Sequence, residues 1–457
     1  MIRRSLRQSL VPLFVLACLL LGGSPQGVWR NLALQLAAIA MIAWALLSSR
    51  RTVPTPGGRF LLLLSGLWFL LVLLQLVPLP PGLWSALPGR APVAEAFTLR
   101  GQPLPWLPLS LAPAATASIL PIMAVPLAIL AAMLWLGAYR SRWCVFALMV
   151  GTFGSVVLGA LQLTSGGPYL YPIYNTGAAT GLFANANHQG SLLLVTMPFL
   201  AAIIGGEQKK RGRIGTEALS RLLISVGGLA VVLLGLALNG STAALLLAVP
   251  VGLACFAVAV PGVWRKRRLV GAVAGLLLLA GAAGLGIFGK AGSESTSVTT
   301  RADIYQKTAA AIGDSFPAGT GLGSFESYYR MYEDPAAVDR YFVNHAHSDP
   351  LEWVLETGLP GTLLLVAFLL WWFRRSWKIW RAEQKDLMAL AGTIGSAALL
   401  AHSLVDYPLR DAALQALFAL CLAFMCDPRS HAQAKSEPRR GRSARHLSLE
   451  DDVAVSG

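Results

Sequence analysis

The chain has 457 residues, of which 55% are hydrophobic and 13% are charged, and its formal net charge is +15 at pH 7. Because a soluble globular protein carries about 25% charged residues, this composition excludes that class and predicts a multi-pass membrane protein. The basic excess by itself would suit a nucleic-acid partner. However, the basic residues cluster between apolar runs, so we expect membrane lipids and no nucleic acid.

Twelve apolar runs long enough to cross a bilayer follow one another along the chain. The first, Leu10–Gly22, follows a short basic lead and resembles a signal peptide, but no persuasive small-residue cleavage site follows it, so we interpret it as a retained span. The others cover 31–48, 60–77, 115–138, 143–163, 188–205, 222–238, 243–263, 269–289, 359–373, 387–405 and 412–426. The predicted fold class is therefore all-α, a polytopic membrane protein with about 12 transmembrane helices.

The basic residues predict the orientation of these spans. With the N-terminus in the cytoplasm, 28 of the 37 Lys and Arg residues fall in cytoplasmic segments, as the positive-inside rule requires. The chain then divides into N-terminal transmembrane helices (1–163), a core (164–426) and a basic cytoplasmic tail (427–457), for which we expect disorder. Both termini are predicted to be cytoplasmic.

Four polar segments are predicted on the opposite, periplasmic face: a Pro-rich loop (78–114), a loop without charged residues (164–187), a large helix-containing loop (290–358) and a tight link (406–411). The large loop contains a helical stretch and then a glycine-rich turn, Pro317–Phe325, which is weak evidence for phosphate binding. Tyrosines interleaved with Arg330 and Arg340 follow the turn. They suit sugar stacking and anion pairing, or alternatively an amphipathic helix on lipid headgroups.

The large loop ends in a polar stretch with two histidines, His345 and His347, directly before an apolar run. Pro350 suits the first position of a short helix, with Asp349 as its cap and Glu352 completing a capping box. Glycines and a proline at 358–361 should break this helix before the span begins. His347 is thus predicted ahead of a helix N-terminus at the membrane boundary. The helix end disfavours the imidazolium form of His347, whereas the two acids favour it.

The sequence His347-Ser348, nine residues, Gly358-x-x-Gly361-Thr362 is similar to the signature of the O-antigen ligase/polymerase superfamily of membrane glycosyltransferases. Three further blocks of the chain resemble the superfamily in the same order: Phe183–His188, the Arg301 helix with its glycine-rich turn, and His402–Arg410. The resemblance covers about residues 180–425. It implies an inverting transfer of a glycan from undecaprenyl diphosphate to an acceptor hydroxyl, without metal or cofactor, at the periplasmic face of the bacterial inner membrane.

The resemblance also implies roles for individual residues. His347 would be the catalytic base, and Arg301 and Arg410 would neutralise the leaving diphosphate. Further substrate contacts are expected from Arg330, Arg340, His345, Asn187 and His188. One position departs from the superfamily pattern, because Thr242 stands where an arginine is usual.

Each of these residues also has a structural alternative. His347 would be a loop hydrogen-bonder, Asn187 and His188 would cap a span, and Arg410 would reach lipid headgroups or pair with Asp406. A metal site is disfavoured, because His345, His347 and Asp349 have no firm further ligand beside them.

Several functions share the predicted donor. Ligation to lipid A–core, polymerisation of repeat units and transfer to a protein hydroxyl differ only in the acceptor, and we favour the ligase. A transporter or lipid flippase would predict inverted repeats and ionisable groups in mid-span, where His402 is the one candidate. A non-catalytic scaffold would predict that His347 is dispensable.

Overall fold

The computed structural model describes residues 2–48, 53–138, 143–209, 216–260, 294–335 and 343–426. Apart from one antiparallel pair of two-residue strands, Pro78–Leu79 with Leu107–Pro108, its regular structure is helical, which confirms the all-α class. The helices are α1 Ile2–Leu21, α2 Val28–Leu47, α3 Pro56–Gln75, α4 Pro81–Trp84, α5 Ala91–Leu99, α6 Pro113–Leu134, α7 Trp143–Ser165, α8 Ala186–Lys209, α9 Thr216–Asn239, α10 Thr242–Ala259, α11 Glu294–Ser315, α12 Phe325–Tyr329, α13 Asp349–Arg381, α14 Leu387–His402 and α15 Ala412–Cys426. Two 3₁₀ turns, Arg330–Tyr332 and Pro408–Arg410, complete the set.

Eleven of the twelve predicted apolar runs are helical. Within the described ranges, eight helices are long and apolar enough to cross a membrane, namely α2, α3, α6, α7, α8, α9, α10 and α13. Three shorter apolar helices, Ser9–Leu21, Leu387–His402 and Ala412–Cys426, match three more of the predicted runs. The remaining run, 269–289, and the tail, 427–457, lie outside the described residues. The count of about twelve spans therefore stays a prediction.

Helix α8 forms the centre of the bundle. The share of its apolar stretch that is buried inside the protein is 89%, compared with 22% for the apolar stretch of α3 and 33% for that of α9. It packs against α9, α10 and α14, while α15 packs against α14 and α6. Large apolar side chains on the outer helices point away from the protein, as Leu223 and Ile224 do with 62% and 67% exposure. Such outward apolar faces are typical of helices that contact lipid.

The predicted break before the apolar run of α13 is present at Gly358. This residue has φ 57° and ψ −151°, so α13 consists of a short polar helix and a longer apolar helix that meet at a kink. Two features of Gly358 exclude a side chain. Its φ is positive, in the left-handed region that favours glycine, and an added Cβ would lie 2.2 Å from the carbonyl oxygen of Pro317. The kink places the polar first part of α13 against the glycine-rich turn.

The four polar segments assigned to the outer face meet at one end of the bundle. Arg90 of the Pro-rich loop donates to the carbonyl of Gly319 in the glycine-rich turn. That turn contacts the first part of α13, whose Asp349 accepts hydrogen bonds from Ser403, directly after α14, and from the backbone N–H of Leu409 in the link. The charge-free loop reaches the same link through Asn185, whose amide lies 3.5 Å from the hydroxyl of Tyr407. These contacts build one continuous polar layer.

Candidate functional site

Tyr407, in the link between α14 and α15, lies at the centre of a group of histidines. Its ring centroid is 4.2 Å from that of His345, 5.1 Å from that of His347 and 5.1 Å from that of His188. Each of the three imidazoles also has its Nδ1 atom at a carboxylate. Residues from α8, α13 and the loop before it thus converge on one tyrosine, although they lie up to 219 positions away from it in the sequence.

His347 is held by its backbone and by a buried carboxylate. It has φ 49°, in the left-handed region that costs a non-glycine residue about 1–2 kcal/mol, and its carbonyl accepts a hydrogen bond of 2.8 Å from the hydroxyl of Tyr305. Its Nδ1 is 3.3 Å from Oδ1 of Asp406, which is fully buried, whereas the side chain of His347 is 26% exposed. Strain at a partly exposed, carboxylate-backed histidine points to function.

Asp406 is a carboxylate at neutral pH. Burial raises its pKa, but the hydrogen bond with His347 and the neighbouring imidazoles outweigh burial, so the pKa lies below its ordinary value. An ionised carboxylate only accepts hydrogen bonds, so the Nδ1 atom of His347 must carry the proton of this bond. In the neutral imidazole, Nε2 is then the unprotonated atom and can act as a base.

His345 has a similar arrangement on the other side of Tyr407. Its Nδ1 is 2.9 Å from Oε1 of Glu352, and Oε2 of the same carboxylate accepts a hydrogen bond of 2.9 Å from the backbone N–H of Ala346. The predicted capping box is therefore wrong, because Glu352 binds the loop before the helix and the cap residue is Ser348. In contrast to His347, His345 has no left-handed backbone.

Arg410 is surrounded by carboxylates of the first part of α13. Its guanidinium nitrogens lie 3.5 Å from Asp349, 3.3 Å from Glu352 and 2.9 Å from Glu356. These acids are three and four positions apart and so share one face of the helix. Burial lowers the pKa of Arg410, but the three acids outweigh it and raise the pKa above its ordinary value. The predicted alternative pairing of Arg410 with Asp406 is wrong, because Asp406 binds His347.

Arg301 lies on the same face of α11 as Tyr305, one turn earlier. Since Tyr305 binds the backbone of His347, this spacing directs Arg301 toward the histidine group, and its charge acts on His402. Within the part of the chain that the structure describes, no carboxylate lies within salt-bridge distance of Arg301. Its side chain is neither fully buried nor fully exposed. It is therefore a cation whose charge is available at the edge of the site.

The glycine-rich turn does not cradle a phosphate. Its backbone N–H groups already donate inside the protein, so the phosphate-binding interpretation is wrong. The acceptors are carbonyls of Ser315, Gly321, Leu355 and Glu356, the side chain of Gln75, and the Glu356 carboxylate, which takes the N–H groups of Gly323 and Phe325. At Gly319 an added Cβ would lie 2.6 Å from the backbone nitrogen of Gly358. Glycine thus permits close packing of two backbones, and a ligand is not involved.

The tyrosines after this turn form a small core. Tyr328 and Tyr329 are 4% and 1% exposed and pack with Phe325, Ile304 and Leu355. Neither sugar stacking nor an amphipathic helix lying on headgroups fits these two buried rings. Both interpretations of this stretch are therefore wrong for Tyr328 and Tyr329.

Four candidate residues remain, of which the structure describes three. Asn187 accepts a hydrogen bond of 2.6 Å from Ser241, and His188, 2% exposed, has its Nδ1 2.6 Å from Asp411. Both thus join α8 to neighbouring elements, as in the span-cap alternative. Arg330 is exposed and pairs with Glu326 one helical turn away. Arg340 lies outside the described residues.

Two residues that shape the site are absent from the sequence predictions. Glu356 binds Arg410 and the glycine-rich turn, and the amide of Gln75 in α3 joins Leu322 of that turn to the backbone of Glu356. The acidic spacing of Asp349, Glu352 and Glu356 before an apolar run is a signal that could have indicated a shared cationic partner. Gln75 carries no comparable signal, because its contact depends on how α3 packs.

Residues 227–366 match the model of a protein family described as O-antigen ligase. This match confirms the resemblance to the O-antigen ligase/polymerase superfamily for this part of the chain, and together with the apolar helices it supports a multi-pass bacterial membrane protein. A search of curated proteins found no significant match.

The matched region, residues 227–366, supplies one side of the site. It contains Arg301, Tyr305, both loop histidines and the acidic face of α13. Asp406 and Arg410, which bind those residues, follow the matched range in the chain. The site is therefore assembled from the matched region and the link, 406–411.

Proposed function

We propose that the protein transfers an undecaprenyl-diphosphate-linked oligo- or polysaccharide to an acceptor hydroxyl at the periplasmic face of the bacterial inner membrane, with lipid A–core as the acceptor. The observation that carries this proposal is the carboxylate-backed, strained His347 inside the region that matches the O-antigen ligase family. Such a transfer needs a base for the acceptor, a cation for the leaving group and access from the bilayer. The first two can be assigned to described residues.

His347 is the proposed base. In the transfer, the acceptor oxygen bonds to the anomeric carbon of the donor sugar while the bond from that carbon to the diphosphate oxygen breaks. The hydroxyl proton passes to Nε2 of His347, and the electron pair of the broken bond leaves with the diphosphate. Asp406 supports this step, because its carboxylate holds Nδ1–H and stabilises the imidazolium that forms.

Arg301 is the proposed cation for the leaving diphosphate. A sugar diphosphate is already activated, so an arginine that meets the developing negative charge stabilises the transition state directly. Among the described residues, no carboxylate lies within salt-bridge distance of Arg301, whereas Arg410 is bound to three carboxylates. We therefore propose that Arg410 acts mainly by orienting Glu352, and through it His345.

His345 is proposed to contact the acceptor. It stands beside Tyr407 with its side chain 20% exposed, so the two histidines flank a shared opening next to the ring. Polymerisation of repeat units would use the same base, cation and donor with a glycan acceptor. No described contact favours one acceptor over the other, and the products distinguish them.

The test is transfer in proteoliposomes that contain the undecaprenyl-diphosphate-linked glycan and lipid A–core. We expect that His347→Ala abolishes transfer although the protein inserts and extracts normally, and that His345→Ala retains measurable transfer. The second variant is a matched control, since it removes an equally carboxylate-backed imidazole from the same loop. Normal transfer by His347→Ala would refute the proposal. Elongated chains still on the lipid carrier, with no core-linked product, would indicate a polymerase.

A further inference from the structure

A second group of buried polar side chains adjoins Asp406. His188 and Ser191 are three positions apart on α8 and so share one face, and His402 ends α14 with its Nδ1 2.7 Å from Oγ of Ser191. Asp406 follows one turn later, with its backbone N–H bonded to the carbonyl of His402. All four residues are at most 2% exposed. They lie where α8, α14 and the link meet.

Three polar atoms in this group have no hydrogen-bond partner within the described part of the chain: Nε2 of His188, Nε2 of His402 and Oδ2 of Asp406. The ring centroid of His188 is 5.1 Å from that of Tyr407, which follows Asp406 in the chain, and Ser191 on the same face of α8 binds His402. The same junction of α8, α14 and the link thus holds all three side chains. Buried polar atoms are almost always hydrogen-bonded, since each unpaired one carries its full cost of desolvation. Three such unpaired polar atoms in one group point to a small polar ligand that they share.

The donors and acceptors in this group match one water molecule. In the neutral imidazole of His188, Nδ1–H points at the Asp411 carboxylate, so its Nε2 is an acceptor. If the Ser191 hydroxyl donates to Nδ1 of His402, the Nε2 of His402 carries a proton and is a donor. Oδ2 of Asp406 is an acceptor. A water molecule donates twice and accepts at least once, and three partners are typical of a buried water.

We propose that one water molecule bridges His188, His402 and Asp406, and that His188 and His402 are positioning residues for the catalytic base. Through this water they hold the second oxygen of Asp406, so that the first oxygen stays directed at Nδ1 of His347. The proposal rests on the proposed function of His347. It adds that the base is oriented from within the helix bundle, by side chains that never touch the substrate.

The kinetic test compares three variants in proteoliposomes with the lipid-linked donor and lipid A–core. His402→Leu removes both ring nitrogens, whereas His402→Gln keeps an acceptor for Ser191 and an N–H for the water. Thr196→Val is the matched control. It removes a buried hydroxyl on α8 that pairs with Thr152 at 2.8 Å, away from the site.

We expect His402→Leu to lower kcat by about 10- to 100-fold, as removal of the outer partner of a functional imidazole does, without a change in KM. His402→Gln should retain most of kcat, and Thr196→Val should behave as wild type. Equal kcat values for the two His402 variants would overturn the proposal, whether both values are low or both are near that of the wild type. If His347→Ala also transfers glycan normally, the proposed function itself has failed.

A second measurement needs no variant and so does not depend on how a substituted protein folds. The ¹⁵N NMR shifts of histidine-labelled wild-type protein in lipid nanodiscs report which ring nitrogen carries the proton. The water bridge requires an Nδ1-protonated His188 and an Nε2-protonated His402. The opposite tautomer at either residue would overturn it.

Discussion

Replacement of Asp406 by asparagine tests the central contact of the site. Asp406→Asn keeps the size of the side chain but removes its charge, and the new amide can turn its NH₂ toward His347. Nδ1 would then accept a hydrogen bond and Nε2 would carry the proton, which is the wrong tautomer for a base. We therefore expect a loss of kcat with little change in KM.

The size of this loss follows from the geometry. An imidazolium and a carboxylate 3.3 Å apart attract each other by about 5 kcal/mol at an effective dielectric constant of about 20. A general base contributes about 10²- to 10⁴-fold, which corresponds to about 3–5 kcal/mol of transition-state stabilisation. Because the side chain of His347 is 26% exposed and water screens part of the attraction, we expect a loss near the lower end, about 100-fold.

The assay is the initial rate of glycan transfer to lipid A–core in proteoliposomes over a range of acceptor concentrations. Glu207→Gln is the matched control, because Glu207 is also a buried acid, paired with Arg221 at 3.2 Å, and lies at the opposite end of α8 from His188. The control should transfer at the wild-type rate. If Asp406→Asn also kept the wild-type rate while His347→Ala was inactive, the tautomer reasoning would be refuted.

Three further predictions concern the charge and backbone of the site. Arg301→Ala should lower kcat by about 10²- to 10³-fold in the same assay, and Arg301→Lys should restore part of it; full activity of the alanine variant would contradict its role. Arg410→Gln leaves three buried acids without their cation and should destabilise the protein by about 3–5 kcal/mol, seen as a lower unfolding midpoint in detergent. Gly358→Ala should also lower that midpoint, because its Cβ would meet the Pro317 carbonyl, whereas Gly66→Ala, with open space around it, should not. An unchanged midpoint for Gly358→Ala would show that the kink relaxes.

Much of the fold follows from local sequence patterns. The apolar runs predicted eleven described helices, since a long apolar segment in a membrane must satisfy its backbone internally. The break at Gly358 was predictable for a similar reason, because glycine adopts the left-handed conformation more easily than other residues. The motif around His347 also indicated the family whose model matches residues 227–366. Each of these features depends on residues that are near one another in the chain.

The partners of the charged and polar residues were not predictable in this way. Asp406 lies four positions from Arg410 but binds His347, 59 positions away. The glycine-rich turn, whose sequence is weak evidence for phosphate binding, binds the carboxylate of Glu356. The tyrosines after that turn fill a small core for which their sequence pattern gives no signal.

The sequence by itself determined an all-α chain of apolar helices, the break in α13 and the resemblance to the O-antigen ligase family, with a histidine before a predicted membrane span. The tertiary structure alone decided which carboxylate backs that histidine and that Arg410 is bound by acids, whereas no acid among the described residues binds Arg301. The physical reason is that an ion pair or hydrogen bond depends on distance and burial in three dimensions. In this protein both the distances and the burial are determined by the packing of helices that are far apart in the sequence.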